Sequence, residues 1–214
     1  KFHSGVNGFT PTRDLTAEDV IWSFERMWKP DHPYAKVSAG SYDYFNDMGM
    51  PDLLDKIGKG ADDLTVVMTL KEPNAPILAN LAMDFATIHS AEYAKFLSDK
   101  GTPEQFDQIP VGTGSFSFVD YQKDAVIRYK AFEGWAGKPK VDDLVFAITP
   151  DATARKAKLE ANECQIMIAP NPADLEALKG NADVTVLEQA GLNIGYLSMN
   201  VTKPPFDKVE VRQA

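Results

Sequence analysis

Residues 109–130 read IPVGTGSFSFVDYQKDAVIRYK and contain the clearest secondary-structure pattern of the sequence. Two phenylalanines alternate with serines in its first half, and after a polar turn at 122–124 apolar residues alternate with Arg128 and Lys130. An alternation of period two is typical of strands that bury one face and expose the other. The stretch therefore predicts a β-hairpin. We interpret the segment 111–114, whose glycines allow unusual backbone angles, as a crossing point between two compact units.

Composition and charge narrow the range of functions. Of the 214 residues, 44% are hydrophobic and 25% are charged, which excludes general disorder. The formal net charge of -9 makes phosphate backbones and anionic lipid surfaces poor partners, so no nucleic-acid ligand is expected. A single cysteine, Cys164, can form neither an internal disulfide nor a cysteine zinc site.

The two ends of the sequence suggest a piece of a longer protein. Lys1 is not an initiator methionine, and the first residues form neither the charged nor the apolar region of a signal peptide. The last residues, 205–214, have the pattern of an amphipathic helix that is only beginning. No apolar run approaches the ~20 residues that span a bilayer.

The first half of the chain predicts mixed helices and strands. Thr16 is a good helix N-cap, Asp19 is the matching carboxylate of a capping box, and an apolar stripe continues to Trp28. The tyrosine-rich residues 31–50 are interpreted as a loop, which either forms a pocket wall or packs onto its own domain. Further helices are predicted at 53–57, 77–83 and 91–97, with a strand at 64–70.

The second half of the chain continues the alternation. A third strand is predicted at 144–148, and Thr149-Pro150 is interpreted as a helix start with proline at the first position. Asn171-Pro172 repeats the pattern of a cap followed by proline. Additional strands are predicted at 165–168, 184–187 and 194–200. The alternation of strands and helices favours an α/β class.

A search for catalytic chemistry finds no constellation that demands an enzyme. The three histidines are far apart and lack metal-ligand spacing, and Ser115 lacks the strand-to-helix elbow of a nucleophilic serine. The segment 112–114 lacks the lysine and the following helix of a phosphate loop. The carboxylate pairs Asp62-Asp63 and Asp142-Asp143 have the pattern of exposed turns. We therefore expect no catalytic residue, no metal and no cofactor.

Several segments, namely 9–20, 38–45, 111–116, 161–165 and 203–214, fall in an order that resembles a known family. On these segments the chain is similar over its whole length to the peptide/nickel class of ABC-transporter solute-binding proteins. One departure is Ser115, where that family usually has proline.

The resemblance implies an α/β fold of the periplasmic binding protein type (type II, three-domain peptide-binding class), with only the extra domain and part of lobe one present. Residues 1–112 would form most of the extra domain beside lobe one, and residues 113–190 the central part of lobe one. Residues 191–214 would form the crossing strand and the start of lobe two.

The resemblance also implies a function and a site. The expected protein is a periplasmic, monomeric receptor without chemistry, which binds short peptides, above all dipeptides, and delivers them to the permease subunits of an ABC importer. Carriers of haem, nickel or longer peptides in the same family remain alternatives, as does a hydrolase that uses Asp62-Asp63. In dipeptide binders of that family the groups that clamp the charged ends of the ligand belong to lobe two, so the resemblance implies none of them in this sequence. The ligand-facing residues implied by position are Ser41, Tyr42, Tyr44, Asn171, Tyr196 and Ser198.

Overall fold

The computed structural model describes residues 1–37, 40–137, 139–191 and 195–213. The chain divides into two compact units, Lys1–Pro150 and Asp151–Ala214, each of which is treated separately below. The division therefore falls after residue 150 and not at the segment 111–114. The three domain limits inferred from the resemblance stay a prediction.

The described residues of unit 1 combine helices with two small antiparallel sheets, a mixture of helices and strands that agrees with the predicted class. One sheet pairs β1 with β2, and the other has the order β3-β4-β5. The α-helices are α1 (Ala17–Trp28), α2 (Asp43–Asp47), α3 (Met50–Leu53), α4 (Ile77–Asn80) and α5 (Ala91–Asp99). The strands are β1 (Leu54–Lys59), β2 (Val66–Leu70), β3 (Phe116–Gln122), β4 (Val126–Ala131) and β5 (Asp143–Ala147). Among the described residues, 3-10 helices span Val6–Gly8, Asp84–Ala86 and Pro103–Phe106.

Helix α1 begins where the sequence predicts, with Thr16 as its N-cap. The Asp19 carboxylate accepts a hydrogen bond from the backbone N–H of Thr16 at 3.0 Å and two from the Arg13 guanidinium at 2.5 and 3.0 Å. The same carboxylate accepts the N–H of Ala91, the first residue of α5, at 3.0 Å. Both helices therefore start at one buried carboxylate. Its negative charge interacts favourably with the positive N-terminal ends of both helix dipoles.

The predicted helix at 53–57 is wrong, because α3 ends at Leu53 and β1 follows directly. Leu54 and Ile57 are both buried, three residues apart, a spacing that resembles a helical stripe. In the structure a register shift between Leu54 and Lys56 inserts an extra residue into β1, and this irregularity brings both side chains to the buried face. Residues 31–50 are likewise not all loop, since they contain α2 and the first residue of α3.

The hairpin predicted from the opening stretch is confirmed. β3 and β4 are antiparallel, with Phe118 opposite Tyr129 and Gln122 opposite Val126. Asp124 takes a positive φ of 60° in the connecting turn. Just before β3, the ring of His3 lies with Nε2 2.9 Å from the carbonyl oxygen of Gly114, which ties the glycine turn to the start of the chain.

Two hydrophobic clusters pack on the two sides of α1. Trp22 of α1 contacts the first cluster, and Phe24 belongs to the second. The first cluster contains Phe2, Val6, Phe9, Tyr34, Tyr93, Ala94, Leu97, Phe106 and Val111. The second contains Phe24, Phe45, Met50, Leu53, Leu54 and Ile57. Because α1 has packing partners on both sides, its polar residues between these faces are fixed in position.

Unit 2 contains α6 (Ala152–Glu160), α7 (Leu175–Lys179), α8 (Val209–Gln213) and a 3-10 helix at Pro172–Asp174. Helix α6 starts two residues later than predicted, because Asp151 is its N-cap and accepts the N–H of Ala154 at 2.7 Å. Asn171 caps the 3-10 helix with proline at its first position, as predicted.

The strands predicted in unit 2 do not form. Residues 165–168, 184–187 and 195–200 make no strand, and Ile194 lies outside the described residues. A strand requires a partner to pair its backbone N–H and C=O groups. Within the described part of unit 2 these segments have no such partner, and several of their apolar side chains are exposed.

Candidate ligand-binding pocket

A pocket of about 480 Å³ opens in unit 1 beside α1. This volume lies within the range of small-molecule sites, roughly 300–1,000 Å³. The apolar and aromatic lining residues are Met27, Val37, Tyr42, Tyr44, Phe45 and Phe85. The other described lining residues are Ser23, Arg26, Gly40, Ser41, Asp43, Asp84, Thr87, His89 and Asp107. Three of the six predicted ligand residues, Ser41, Tyr42 and Tyr44, therefore meet at one pocket.

Arg26 is the buried cation of this pocket. Its Nη2 lies 2.6 Å from Oδ2 of Asp107, and its Nε donates to the carbonyl oxygen of Tyr34 at 3.3 Å. The guanidinium carbon lies 4.9 Å from the ring centroid of Phe106. A buried charge is tolerated when it is paired and hydrogen-bonded in this way. Arg26 thus joins α1 to the segments that carry Tyr34 and Asp107.

Tyr42 contributes its ring to the pocket wall and uses its hydroxyl inside the protein. The hydroxyl donates to the carbonyl oxygen of Ala35 at 3.2 Å, and the carbonyl oxygen of Tyr34 lies 3.4 Å away. Burial raises the pKa of Tyr42, although the Arg26 charge opposes this. A phenol proton used in this way is not available to a ligand, so Tyr42 can offer a ligand its ring and the lone pairs of its oxygen.

Ser41 and Tyr44 flank Tyr42 where α2 begins. The Ser41 hydroxyl donates to the carboxylate of Asp43, the first residue of α2. Tyr44 lies one residue further along the helix, and its side chain is 58% exposed. An exposed ring at the edge of a pocket can cover the apolar part of a ligand. The start of α2 therefore places all three predicted residues at the pocket.

His89 is a polar lining residue that the sequence interpretation did not select. Its ring is half-buried and lies 5.3 Å from the Phe106 ring centroid. Burial lowers the pKa of His89 to about 4; the Arg26 charge acts in the same direction and Asp107 opposes it. The imidazole is therefore neutral at pH 7 and offers one donor and one acceptor.

The sequence of α1 contains a pattern that indicates the polar side of the pocket. Asp19, Ser23 and Arg26 recur at i, i+4 and i+7, and all three are buried. Polar residues at this spacing share one helix face, so a buried polar stripe runs beside the apolar one. Asp107 and His89, in contrast, reach the pocket from distant positions and carry no local signal.

The other three predicted residues belong to unit 2 and remain predictions. The Asn171 side chain accepts the N–H of Ala173 at 3.3 Å, so its amide oxygen already caps the 3-10 helix. Tyr196 is 83% exposed, and Ser198 is exposed in the same non-helical segment. These two side chains have surface available for contact within unit 2.

The carboxylate pair considered for hydrolysis belongs to an exposed turn. Asp62 accepts the N–H of Leu64 at 2.9 Å, and this bond lowers the pKa of Asp62. Asp63 forms an ion pair with Lys59. Across the described ranges, no His, Cys, Asp and Glu side chains gather as metal ligands would, and no helix is both long and apolar enough to cross a bilayer.

Comparison with known proteins supplies close relatives. The dipeptide-binding protein of Escherichia coli (strain K12) is 55% identical over 215 residues, which cover 100% of this chain and 40% of that protein. The heme-binding protein A of Haemophilus influenzae is 50% identical over 215 residues, which cover 100% of this chain and 39% of that protein. The crystal structure of a dipeptide-binding protein from Pseudoalteromonas sp. SM9913 in complex with Met-Leu has a TM-score of 0.87 at 38% identity, over 100% of this chain and 42% of that chain.

These comparisons confirm the fold class predicted from the resemblance, that of type II periplasmic peptide-binding proteins. The chain spans about 40% of the length of the curated relatives that it matches. The family described as bacterial extracellular solute-binding proteins, family 5 (Middle), matches residues 1–214. Because that match includes every residue, the chain belongs to the family 5 bacterial extracellular solute-binding proteins.

Proposed function

We propose that this chain is part of a periplasmic receptor that captures short peptides, chiefly dipeptides, and delivers them to an ABC importer. The observation that carries the proposal is its 55% identity, over the whole chain, to the dipeptide-binding protein of Escherichia coli. The likeness to a solved dipeptide-binding protein in complex with Met-Leu supports the same ligand class.

The chemistry of the pocket is consistent with a peptide ligand. Aromatic and apolar walls suit amino-acid side chains, and a small number of polar groups suits the amides between them. Ser41, Tyr42 and Tyr44 would contribute to the site from unit 1. Asn171, Tyr196 and Ser198 would contribute from unit 2 in the full-length protein.

A binding protein accounts better than a hydrolase for the carboxylates of unit 1. Asp62 is engaged with a backbone N–H and Asp63 with Lys59, both in the turn between β1 and β2. Paired acids that perform catalysis have environments that separate their pKa values and hold a substrate between them. An exposed turn supplies neither condition, which supports a receptor without chemistry.

Calorimetric titration of the full-length protein with Ala-Ala, Ala-Leu and Leu-Leu tests the proposal. We expect saturable binding of at least one dipeptide and, by mass spectrometry of the same mixture, intact peptide after prolonged incubation. Cleaved peptide would contradict the receptor proposal, and no binding of any peptide would contradict the ligand class. Uptake of a labelled dipeptide by cells that lack the gene, with and without complementation, tests delivery to an importer.

Haem is a second candidate ligand, favoured by the 50% identity to the heme-binding protein A of Haemophilus influenzae. Titration of the full-length protein with haemin, followed by absorbance in the Soret region, separates the two candidates. A stoichiometric spectral shift without any peptide binding would favour haem. Peptide binding without that shift would support the dipeptide proposal.

A further inference from the structure

The backbone of His89 is fixed to α1 independently of its ring. Its N–H donates to the Ser23 hydroxyl oxygen at 2.8 Å, and that hydroxyl donates to the carbonyl oxygen of Asp19 at 2.7 Å, one turn earlier in α1. Ser23 is buried within α1. The position of residue 89 is therefore set by the helix, and the imidazole is not needed to hold the segment in place.

The ring of His89 has hydrogen-bonding capacity that the described residues do not use. No described residue bonds to either ring nitrogen, and the ring packs against Phe106 in a tilted arrangement, with the ring centroids 5.3 Å apart. Three other polar side chains in the lining are engaged: Arg26 pairs with Asp107, and the Thr87 hydroxyl donates to the carbonyl oxygen of Asp84 at 2.6 Å. Neither ring nitrogen is among the buried atoms without a partner, so both are accessible to water, and a ligand that displaces this water has to replace its hydrogen bonds.

The charge state of the ring limits what can bond to it. The charged groups that act on His89 are Arg26 from α1 and Asp107, which follows the 3-10 helix Pro103–Phe106. They form an ion pair with each other, so neither supplies a free charge beside the ring. The neutral imidazole presents one donor and one acceptor. A ligand amide, which also has one donor and one acceptor, is the matching uncharged partner.

We propose that His89 is a ligand-contacting residue of this pocket and that its ring hydrogen-bonds to the amide of a bound peptide. The inference rests on the proposed function, because it takes a peptide as the ligand of the pocket. It adds a specificity-determining residue to the site: His89 recognises the peptide bond itself and does not depend on the side chains of the ligand.

The test compares two substitutions in the full-length protein. His89→Leu removes the hydrogen-bonding groups at similar size, whereas His89→Gln keeps a donor and an acceptor. We expect His89→Leu to weaken the binding of Ala-Leu by about three- to ten-fold and His89→Gln to stay within about two-fold of the wild type. His32→Leu is the matched control, since His32 is also half-buried and lies outside the pocket lining.

A modified ligand distinguishes an amide contact from a general loss of packing. The probe is Ala-Leu methylated on its amide nitrogen, which removes the N–H of the peptide bond. If His89 bonds to the amide, the loss of affinity caused by methylation is several-fold larger in the wild type than in His89→Leu. The imidazole 15N resonances of His89 in the wild type should also shift when Ala-Leu is added, a readout that does not depend on the variants folding.

The outcomes separate this inference from the proposed function. Wild-type affinity of His89→Leu for Ala-Leu, together with weaker binding by Tyr44→Ala, overturns the role of His89 and leaves the receptor proposal standing. Unchanged 15N resonances on saturation with Ala-Leu likewise overturn it. If the wild type binds no peptide, the proposed function fails and this inference fails with it.

Discussion

At the scale of single residues, Asp19 carries the largest expected effect on stability. Its fully buried carboxylate accepts hydrogen bonds from Arg13 and from the backbone of Thr16 and Ala91. Asp19→Asn should lower the free energy of unfolding by about 3 kcal/mol, because one amide oxygen replaces two carboxylate oxygens as acceptor and the partly buried Arg13 guanidinium loses its nearest counter-charge. Urea unfolding of the full-length protein measures this loss.

The control for this prediction is Asp99→Asn. Asp99 forms an exposed ion pair with Lys95 on α5, a kind of pair that contributes about 0.2–1 kcal/mol at most. Equal effects of the two substitutions would show that the buried network at the start of α1 contributes no more than a surface ion pair.

Tyr44 and Tyr196 provide the residue-scale test of the candidate site. Tyr44→Ala and Tyr196→Ala should each weaken dipeptide binding by roughly 1–3 kcal/mol in calorimetric titrations of the full-length protein. Tyr121→Ala is a suitable control, because Tyr121 is a partly exposed tyrosine on β3 outside the pocket lining. If neither Tyr44→Ala nor Tyr196→Ala changes affinity, these tyrosines only pack against their own segments.

The lowered pKa of His89 predicts that the free energy of unfolding depends on pH in a defined direction. Its folded pKa of about 4 lies below the ordinary histidine value of 6.5, so the unfolded chain binds more protons between these two values. The free energy of unfolding should therefore fall as the pH drops from about 6.5 towards 4, by up to about 3 kcal/mol from this residue. Urea titrations at pH 7.5 and 4.5 should show a smaller difference in His89→Gln than in the wild type. A steeper pH dependence in the variant would contradict the assignment.

At the scale of secondary-structure elements, the start of α6 offers a direct comparison of sequence and structure. Asp151 caps α6 through the N–H of Ala154, whereas the sequence interpretation placed the start at Thr149-Pro150. Asp151→Ala should lower the free energy of unfolding by about 1 kcal/mol, and Asp151→Ser should recover most of the loss. Chemical denaturation monitored by circular dichroism gives the values. A larger loss for Thr149→Ala than for Asp151→Ala would favour the earlier start.

Elements whose signals are local could be predicted from the sequence, and those that depend on distant partners could not. The cap at Thr16 and the hairpin β3–β4 have short-range patterns, and both are found in the structure. β1 was mistaken for a helix because the irregularity after Leu54 gives a strand the spacing of a helical stripe. The apolar segments of unit 2 resemble strands, but strand formation depends on a pairing partner that no local pattern specifies.

The same distinction applies to the candidate site. Tyr42 and Tyr44 could be selected because the family resemblance implies that their positions face a ligand, whereas the tyrosine-rich pattern of residues 31–50 left a pocket wall and simple packing both open. Arg26 and Asp107 are 81 residues apart, and their ion pair follows from the packing of α1 and cannot be read from either neighbourhood. His89 reaches the pocket because Ser23 fixes its backbone, which is also a contact between distant positions.

At the scale of the whole molecule, the exposed apolar side chains of unit 2 predict that this chain alone and the full-length protein differ in how strongly they bind a hydrophobic dye. Exposed apolar side chains concentrate in its non-helical segments, namely Ile166, Ile168, Leu187, Tyr196 and Leu197. Exposed patches of this kind mark surfaces that other protein segments cover. The 214-residue chain should bind the dye ANS strongly, and the full-length protein should bind it several-fold more weakly in fluorescence titrations at equal concentration.

The affinity for peptides should also differ between residues 1–214 alone and the full-length protein. The chain spans about 40% of its curated relatives, and receptors that close two lobes on a ligand need both lobes to exclude water. We expect no measurable dipeptide affinity for residues 1–214 alone and saturable binding by the full-length protein in parallel calorimetric titrations. Tight binding by the shorter chain would show that the pocket beside α1 is sufficient by itself.

The shared carboxylate of Asp19 also affects how the first turns of α1 and α5 unfold locally. Because the amide hydrogens of Thr16 and Ala91 both bond to Asp19, the first turns of α1 and α5 lose a common acceptor when the carboxylate moves away. Fraying of helix ends is ordinarily independent from one helix to the next. Here the two ends are coupled, although 72 residues of chain separate Asp19 from Ala91. Their amides should exchange with deuterium at matching rates, as members of one cooperative opening unit.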